Sequence, residues 1–321
     1  LRFLVAGLGS MGSRRIRNLQ ALGCPDIIGY DPKEERRRDA EARYGISTVP
    51  ALDALDGYDA MIVSTPPDRH VEYMMRSVRD GKPCFVELGL TADGLGPVLE
   101  AAGDKGVLIA PSSTFVFHPA VEVITDLVRG GAYGRVLNFT YHSGQYLPDW
   151  HPWEDPREFF AFRKETSGCR EIISFELHWL AEVFGMPDRL GAAHRKTSDL
   201  GIDFDDTYAV CIHCGGVFGL LFVDVVSRFA TRSLIMNLEG GQIRWSLEDG
   251  FVRVYEADGG AWLHLPEHDR GQGEVAMRNT REEMYVDELR AFIAAAEGRA
   301  AFPNTLEQEI RLLRLIDEIM G

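Results

Sequence analysis

The sequence predicts an α/β fold in two parts, a doubly wound parallel sheet followed by an α+β segment with an open, mainly antiparallel sheet. Three observations carry this. Short apolar runs alternate with amphipathic helical stretches through residues 1–115, as successive βαβ units require. Gly7-Leu8-Gly9-Ser10-Met11-Gly12 stands between the first apolar run and the first helical stretch. From Thr207 to Leu265 strand-like runs follow one another across Gly and Asp turns such as Glu239-Gly240-Gly241 and Glu248-Asp249-Gly250. Runs so closely spaced pair antiparallel, because a parallel crossover needs about a dozen residues or more.

In chain order, strands are expected at Arg2–Ala6, Asp26–Tyr30, Ala60–Ser64, Cys84–Glu87 and Val107–Ala110, with helices at Gly12–Leu22, Glu34–Tyr44, His70–Asp80 and Leu95–Gly103. Thr65-Pro66-Pro67 ends the strand at Ser64, since proline lacks the N–H that a central strand needs. After Pro119 come a helix at Ala120–Arg129, a strand at Val136–Ser143, an aromatic-crowded stretch from Gln145 to Phe162, and a helix at Ile172–Phe184. Strands at Tyr208–His213, Val217–Val226, Ser233–Glu239, Gln242–Ser246, Val252–Tyr255 and Trp262–Leu265 build the second sheet. Helices at Arg281–Glu297 and Thr305–Met320 close the chain. The expected domains are 1–116, which binds the cofactor, and 117–303, which binds substrate and oligomerises. Residues 304–321 form a helix returning toward the first.

Charge excludes some partners. Lys and Arg total 34 against 49 Asp and Glu, a net charge of −15, and such a surface repels nucleic acid and anionic lipid. The densest basic run, Arg36-Arg37-Arg38, is interleaved with Glu34, Glu35, Asp39 and Glu41 as a solvated helix face. No apolar run approaches the roughly 20 residues of a membrane span. The N-terminus reads as a strand rather than an export signal, and the five irregularly spaced cysteines suit a reducing compartment, so the expected location is the cytoplasm. Cys211-Ile212-His213-Cys214 lies in a strand run that turns its two cysteines to opposite faces. No second ligand pair matches it, so no metal is expected.

The glycine run occurs in the context that gives it meaning, after a strand and opening a helix, as in a Rossmann unit. Gly7 permits the tight turn, Gly9 lets the backbone approach a pyrophosphate, and Gly12 allows close helix–strand packing. Ser10 and Met11 begin the helix whose free N–H groups face the phosphates. Asp31 ends the second strand, 19 residues after Gly12, where a carboxylate accepts from ribose hydroxyls and disfavours a 2′-phosphate. The cofactor is therefore read as NAD, with NADP left open by Arg36–Arg38.

These features, with Thr65-Pro66-Pro67-Asp68-Arg69-His70, Gly81-Lys82-Pro83-Cys84-Phe85-Val86-Glu87, Phe117-His118-Pro119, Asp206-Thr207-Tyr208-Ala209 and Pro303-Asn304-Thr305, resemble the Gfo/Idh/MocA family of glucose–fructose oxidoreductase and inositol dehydrogenase. The resemblance runs in order over nearly the whole chain. It implies hydride exchange between a nicotinamide and a sugar or cyclitol alcohol, and a homodimer or homotetramer formed through the second sheet. It also implies that Thr65, Pro66, His70 and Glu87 lie beside the cofactor. Two active-site positions depart from the family pattern. Leu88 stands where the Glu-Lys-Pro motif has its lysine, and Ser174 where the Asp-x-x-x-His motif has its aspartate, while His178 keeps the histidine position.

Oxidising a secondary alcohol needs a base for the hydroxyl proton. His178 is the candidate, with Glu171, two helical turns earlier, as helper. The run from His142 to Asp155 mixes indoles, imidazoles and carboxylates with prolines, a combination suited to stacking on and hydrogen-bonding to a sugar. His142, Gln145, Tyr146, Trp150 and Trp153 are its candidate substrate contacts. The run also resembles that of family members in bacterial surface-sugar biosynthesis. The expected activity is NAD(P)-dependent oxidation or reduction of a sugar alcohol. The alternatives are a non-catalytic NAD-binding sensor, or elimination or hydrolysis assisted by retained NAD.

Overall fold

The structure, a computed structural model, describes residues 1–150, 159–267 and 282–320. It divides into two compact units, Leu1–Thr114 with Glu282–Arg311, and Phe115–Arg281 with Leu312–Gly321.

In the first unit the chain runs β1 (Phe3–Ala6), α1 (Ser10–Ala21), β2 (Ile27–Tyr30), α2 (Glu34–Tyr44), β3 (Ser47–Val49), β4 (Ala60–Val63), α3 (His70–Asp80), β5 (Cys84–Val86), α4 (Leu95–Lys105) and β6 (Ile109–Pro111). The strands form one parallel sheet in the order β3-β2-β1-β4-β5-β6. Every residue of β1 and β4 is buried, because helices cover both faces of a parallel sheet. The order reverses between β1 and β4, and a crevice opens there outside the carboxyl ends of the strands. The helix Glu282–Ala296 belongs to this unit: its Leu289 and Phe292 join the core around Phe3, Ile16 and Phe85, and the Phe85 and Phe292 rings lie 5.7 Å apart. Strand β3 was not anticipated. It has three residues at the sheet edge, none buried, so it leaves no hydrophobic pattern.

The second unit contains α5 (Pro119–Gly130), β7 (Val136–Tyr146), α6 (Gly168–Phe184), β8 (Arg189–Arg195), β9 (Thr207–Cys214), β10 (Val217–Asp224), β11 (Val226–Leu238), β12 (Gly241–Ser246), β13 (Phe251–Glu256) and β14 (Ala261–Pro266). Its sheet has the order β14-β13-β12-β11-β7-β10-β9-β8. All neighbours are antiparallel except β7 and β10. Strands β10 and β11 flank β7 and are joined through Val225 alone, which passes the end of β7 and accepts from the Leu147 N–H at 3.0 Å. Strand β8 was also unanticipated: only Leu190 of its seven residues is buried.

Two boundaries bear on function. Helix α6 starts at Gly168 rather than Ile172, because the Ser167 hydroxyl accepts from the Arg170 N–H and caps it. Strand β7 continues to Tyr146, which pairs with Val226, so Gln145 and Tyr146 are strand residues rather than part of a loop. Among the described residues no helix is long and apolar enough to cross a membrane.

Candidate functional site

The glycine turn in the first unit is shaped for close approach. Gly7 has φ +89°, and a Cβ there would lie 2.4 Å from the Ser64 carbonyl oxygen, while a Cβ on Gly12 would lie 1.8 Å from that of Gly7. Both positions are closed to any side chain. The N-cap of α1 is Gly9, with no side chain bonded to the first turn and no acid within it, so the leading N–H groups of Ser10 and Met11 present the positive end of the helix dipole. The Asp31 side chain is buried, with Oδ2 accepting from Leu8 N at 2.9 Å and Oδ1 from Lys33 N at 2.9 Å. The carboxylate is thereby locked to the glycine turn. Arg36 lies 3.5 Å from it and only 3.6 Å from where a Gly9 Cβ would stand. Arg37 donates to the Asp31 backbone carbonyl instead, and Arg38 pairs with Glu34 on the outer face.

At the end of β4, the Thr65 hydroxyl is buried without a hydrogen-bond partner among the described residues. Its carbonyl contacts His70 Nε2 at 2.9 Å, and burial lowers the pKa of this histidine, so His70 braces the Thr65-Pro66 turn as a neutral ring. An orphaned hydroxyl beside a glycine cradle that no Cβ could enter fits a dinucleotide. NAD would be held by Gly7, Gly9, Ser10, Met11, Gly12, Asp31 and Thr65.

Glu87 is committed elsewhere in part. Arg15, fully buried on α1, donates to its carboxylate at 2.7 and 2.9 Å and lies 2.8 Å from Glu288. Glu288 also accepts from Ser112 Oγ, Ser113 N and Thr114 Oγ1 at 2.7–2.9 Å. Burial pushes the Glu288 carboxyl up, against the opposing pull of Arg15. Glu87 keeps 13% of its side chain exposed and lines a small open pocket with Pro67, His70 and Asp93. The sequence reading missed Arg15 and Glu288. Their one signal is charge placed within otherwise apolar helix faces, Arg15 beside Ile16 and Glu288 beside Leu289.

In the second unit, Glu176 anchors α6 to the sheet. It is fully buried and accepts from Tyr141 Oη at 2.9 Å, Ser143 Oγ at 2.8 Å, Trp179 Nε1 at 2.7 Å and Arg232 Nε at 2.8 Å. Three candidate groups occupy one stripe of this helix: Glu171, Ser174 and His178. His178 is buried, its Nδ1 2.7 Å from the Ser174 carbonyl one turn earlier. Glu171 differs from Glu176: its Oε2 is buried without a partner among the described residues. Burial pushes its carboxyl up to about 7.

The aromatic-run residues are divided by the pleat of β7. Tyr141 and Ser143 face α6. His142 faces the other way, with Nε2 2.8 Å from Asp224 Oδ2 and its ring against Phe222. The Tyr146 ring carries the Arg228 guanidinium at 3.7 Å, and Gln145 is half-buried. Trp150 reaches α6, where its Cη2 would lie 3.5 Å from a Cβ on Gly168. Trp153 lies outside the described residues. The structure thus brings Trp150 to the first turn of α6 at Gly168 and sets His142 on the opposite sheet face. Cys211 and Cys214 alternate between half-buried and buried positions of β9. Among the described residues no His, Cys, Asp and Glu group is arranged to hold a metal.

This parallel sheet and glycine cradle define a Rossmann-type dinucleotide-binding unit. A family model described as an oxidoreductase family with an NAD-binding Rossmann fold matches residues 1–112. The chain is 31% identical over 293 residues, 86% of its length and 83% of the relative's, to dTDP-3,4-didehydro-2,6-dideoxy-alpha-D-glucose 3-reductase of Streptomyces violaceoruber. It is 23% identical to inositol 2-dehydrogenase of Rhizobium meliloti, covering 99% of this chain and 95% of that one. Levoglucosan dehydrogenase in complex with NADH and levoglucosan shares the fold, with a TM-score of 0.82 at 18% identity over 99% of this chain and 96% of the other. The chain belongs to the Gfo/Idh/MocA oxidoreductase family.

Proposed function

We propose that this oxidoreductase interconverts a secondary alcohol and a ketone on a sugar or sugar derivative, with the proton handled on α6. When bound, NAD supplies the hydride acceptor for such a reaction. The observation that carries the proposal is the Glu171 carboxyl. Its Oε2 is shielded from solvent with no hydrogen-bond partner among the described residues and the carboxyl is poised at about 7, so it changes protonation at the pH where an acid–base group works best. The roles read from sequence are thereby exchanged: Glu171 takes or returns the hydroxyl proton, and His178, oriented through the Ser174 carbonyl, assists. Neither requires the lysine that Leu88 has replaced. The relatives named above, reductases and dehydrogenases of a dTDP-linked keto sugar and a cyclitol, support a polyhydroxylated substrate.

The test is NADH formation from a panel of pyranoses, cyclitols and nucleotide-linked sugars. Alcohol oxidation should rise with pH through about 7 as Glu171 ionises, and Glu171→Gln should lower kcat by about a hundredfold or more and abolish that rise. A pH profile unchanged in Glu171→Gln would remove Glu171 from the mechanism. NAD retained through purification with no NADH release from any sugar would instead indicate elimination or hydrolysis assisted by transient oxidation.

We further propose that the sheet face opposite α6 mediates self-association. Cross-strand register places Phe218, Phe222, Ile235 and Trp262 on the face of His142, and they are 37–48% exposed. Exposed apolar side chains gathered on one sheet face support this reading.

A further inference from the structure

We propose that Trp150 and Glu171 form a two-point subsite for a carbohydrate-class ligand at the start of α6, the indole N–H donating to one hydroxyl oxygen and the Glu171 carboxyl pairing with a neighbouring hydroxyl. The proposal rests on the oxidoreductase reading and names the groups that select its substrate.

Two orphaned atoms carry it. Trp150 Nε1 and Glu171 Oε2 are both shielded from solvent, and neither has a hydrogen-bond partner among the described residues. Leaving a buried polar atom unpaired costs about 1–3 kcal/mol, so folded chains satisfy nearly all of them. Helix α6 itself shows the contrast: Glu176, one and a half turns on, has four donors, whereas this oxygen of Glu171 has none.

The two side chains belong to the first turn of α6, Trp150 by contact and Glu171 by position. The tip of the Trp150 indole rests on Gly168, 3.5 Å from where a Cβ would be. Glu171 is three residues further along the helix, next on the same face. Both supports are rigid. The backbone N–H of Trp150 donates to the Leu147 carbonyl at 3.1 Å, and Leu147 is tied in turn to Val225. Ser167 caps the helix at its other side. The groups therefore do not need to be ordered by the ligand, which favours affinity.

The chemistry selects the ligand. A donor and an acceptor together suit adjacent hydroxyls, each of which both donates and accepts. The indole also offers a flat apolar surface to the C–H groups of a sugar ring. A phosphate or carboxylate ligand fits poorly, because the Glu171 carboxylate would repel it whenever ionised.

The test is isothermal titration of the full chain with levoglucosan, myo-inositol and dTDP-glucose, each with and without saturating NADH. Trp150→Phe keeps an aromatic ring and removes the N–H; Glu171→Gln keeps the volume and removes the ionisable carboxyl. At least one probe should bind the wild type, and each variant should weaken that probe about tenfold or more, the equivalent of about 1.4 kcal/mol. NADH affinity should stay within about twofold in both variants, reporting an intact fold. Wild-type affinity in both variants overturns the subsite, as does failure of all three probes to bind. Sugar binding without any NADH binding would instead overturn the NAD-dependent reading and leave the subsite standing.

Discussion

Glu171 and Arg15 make opposite uses of burial. The Glu171 carboxyl is raised to about 7 from 4.5 by burial alone, so its neutral form is favoured in the folded chain. A carboxyl raised on folding contributes stability at low pH and loses it as pH climbs from about 4.5 to about 7. Glu171→Gln removes that loss. Urea unfolding should find the variant close to the wild type at pH 4.5 and more stable than it at pH 8, by up to about 3 kcal/mol. Arg15 is the reverse case, a buried cation that two carboxylates require. Removing it leaves Glu87 and Glu288 uncompensated, so Arg15→Met should destabilise the chain by about 3–5 kcal/mol in the same measurement. The residue scale also marks where the sequence is silent. A glycine turn announces itself because only glycine fits there. Nothing local distinguishes Glu171 from the fully bonded Glu176, since a pKa and a hydrogen-bond deficit depend on what folds around the side chain.

Among the elements, α6 depends on the Glu176 network. Glu176→Ala would leave Tyr141, Ser143, Trp179 and Arg232 without their common acceptor, and a loss of at least about 3 kcal/mol is expected. Far-ultraviolet circular dichroism during thermal melting should show a lowered transition. The loop before β9 is held differently. Asp206 is buried, which would raise its pKa, yet hydrogen bonds from Ser198 and Thr197 hold it at about 2. Its contribution is complete above the ordinary carboxylate range and is lost as pH falls from about 4 toward about 2. Asp206→Asn should therefore lose stability relative to wild type at pH 6 and approach it at pH 2, in denaturant titrations. Most strands and helices that bury apolar side chains are legible to within a few residues; β11 is the exception, beginning at Val226 rather than Ser233. The two that escaped, β3 and β8, are edge strands that bury almost nothing, and the hydrophobic pattern is the only record a strand leaves. The start of α6 was placed four residues late, because its first turn reads as Gly-Cys-Arg-Glu and only the Ser167 cap reveals it.

At the scale of the molecule, the exposed apolar face of the second sheet sets the remaining prediction. Light scattering after size-exclusion chromatography should give a mass of at least two chains, and Phe222→Asp, placing charge among those apolar side chains, should yield a monomer. A wild-type mass of a single chain would discard the proposed interface. The sequence by itself determined the parallel sheet, the cofactor cradle and the acidic surface. Periodicity, glycine sterics and net charge are local or additive, and need no tertiary contacts to be read. Tertiary structure decided which charged groups are paired and which polar atoms are left open. It set His142 on the face opposite α6 while Trp150 rests on Gly168, and it left Glu171 Oε2 shielded from solvent with no partner among the described residues. Such assignments follow from pleat, helix face and desolvation, which join residues far apart in the chain.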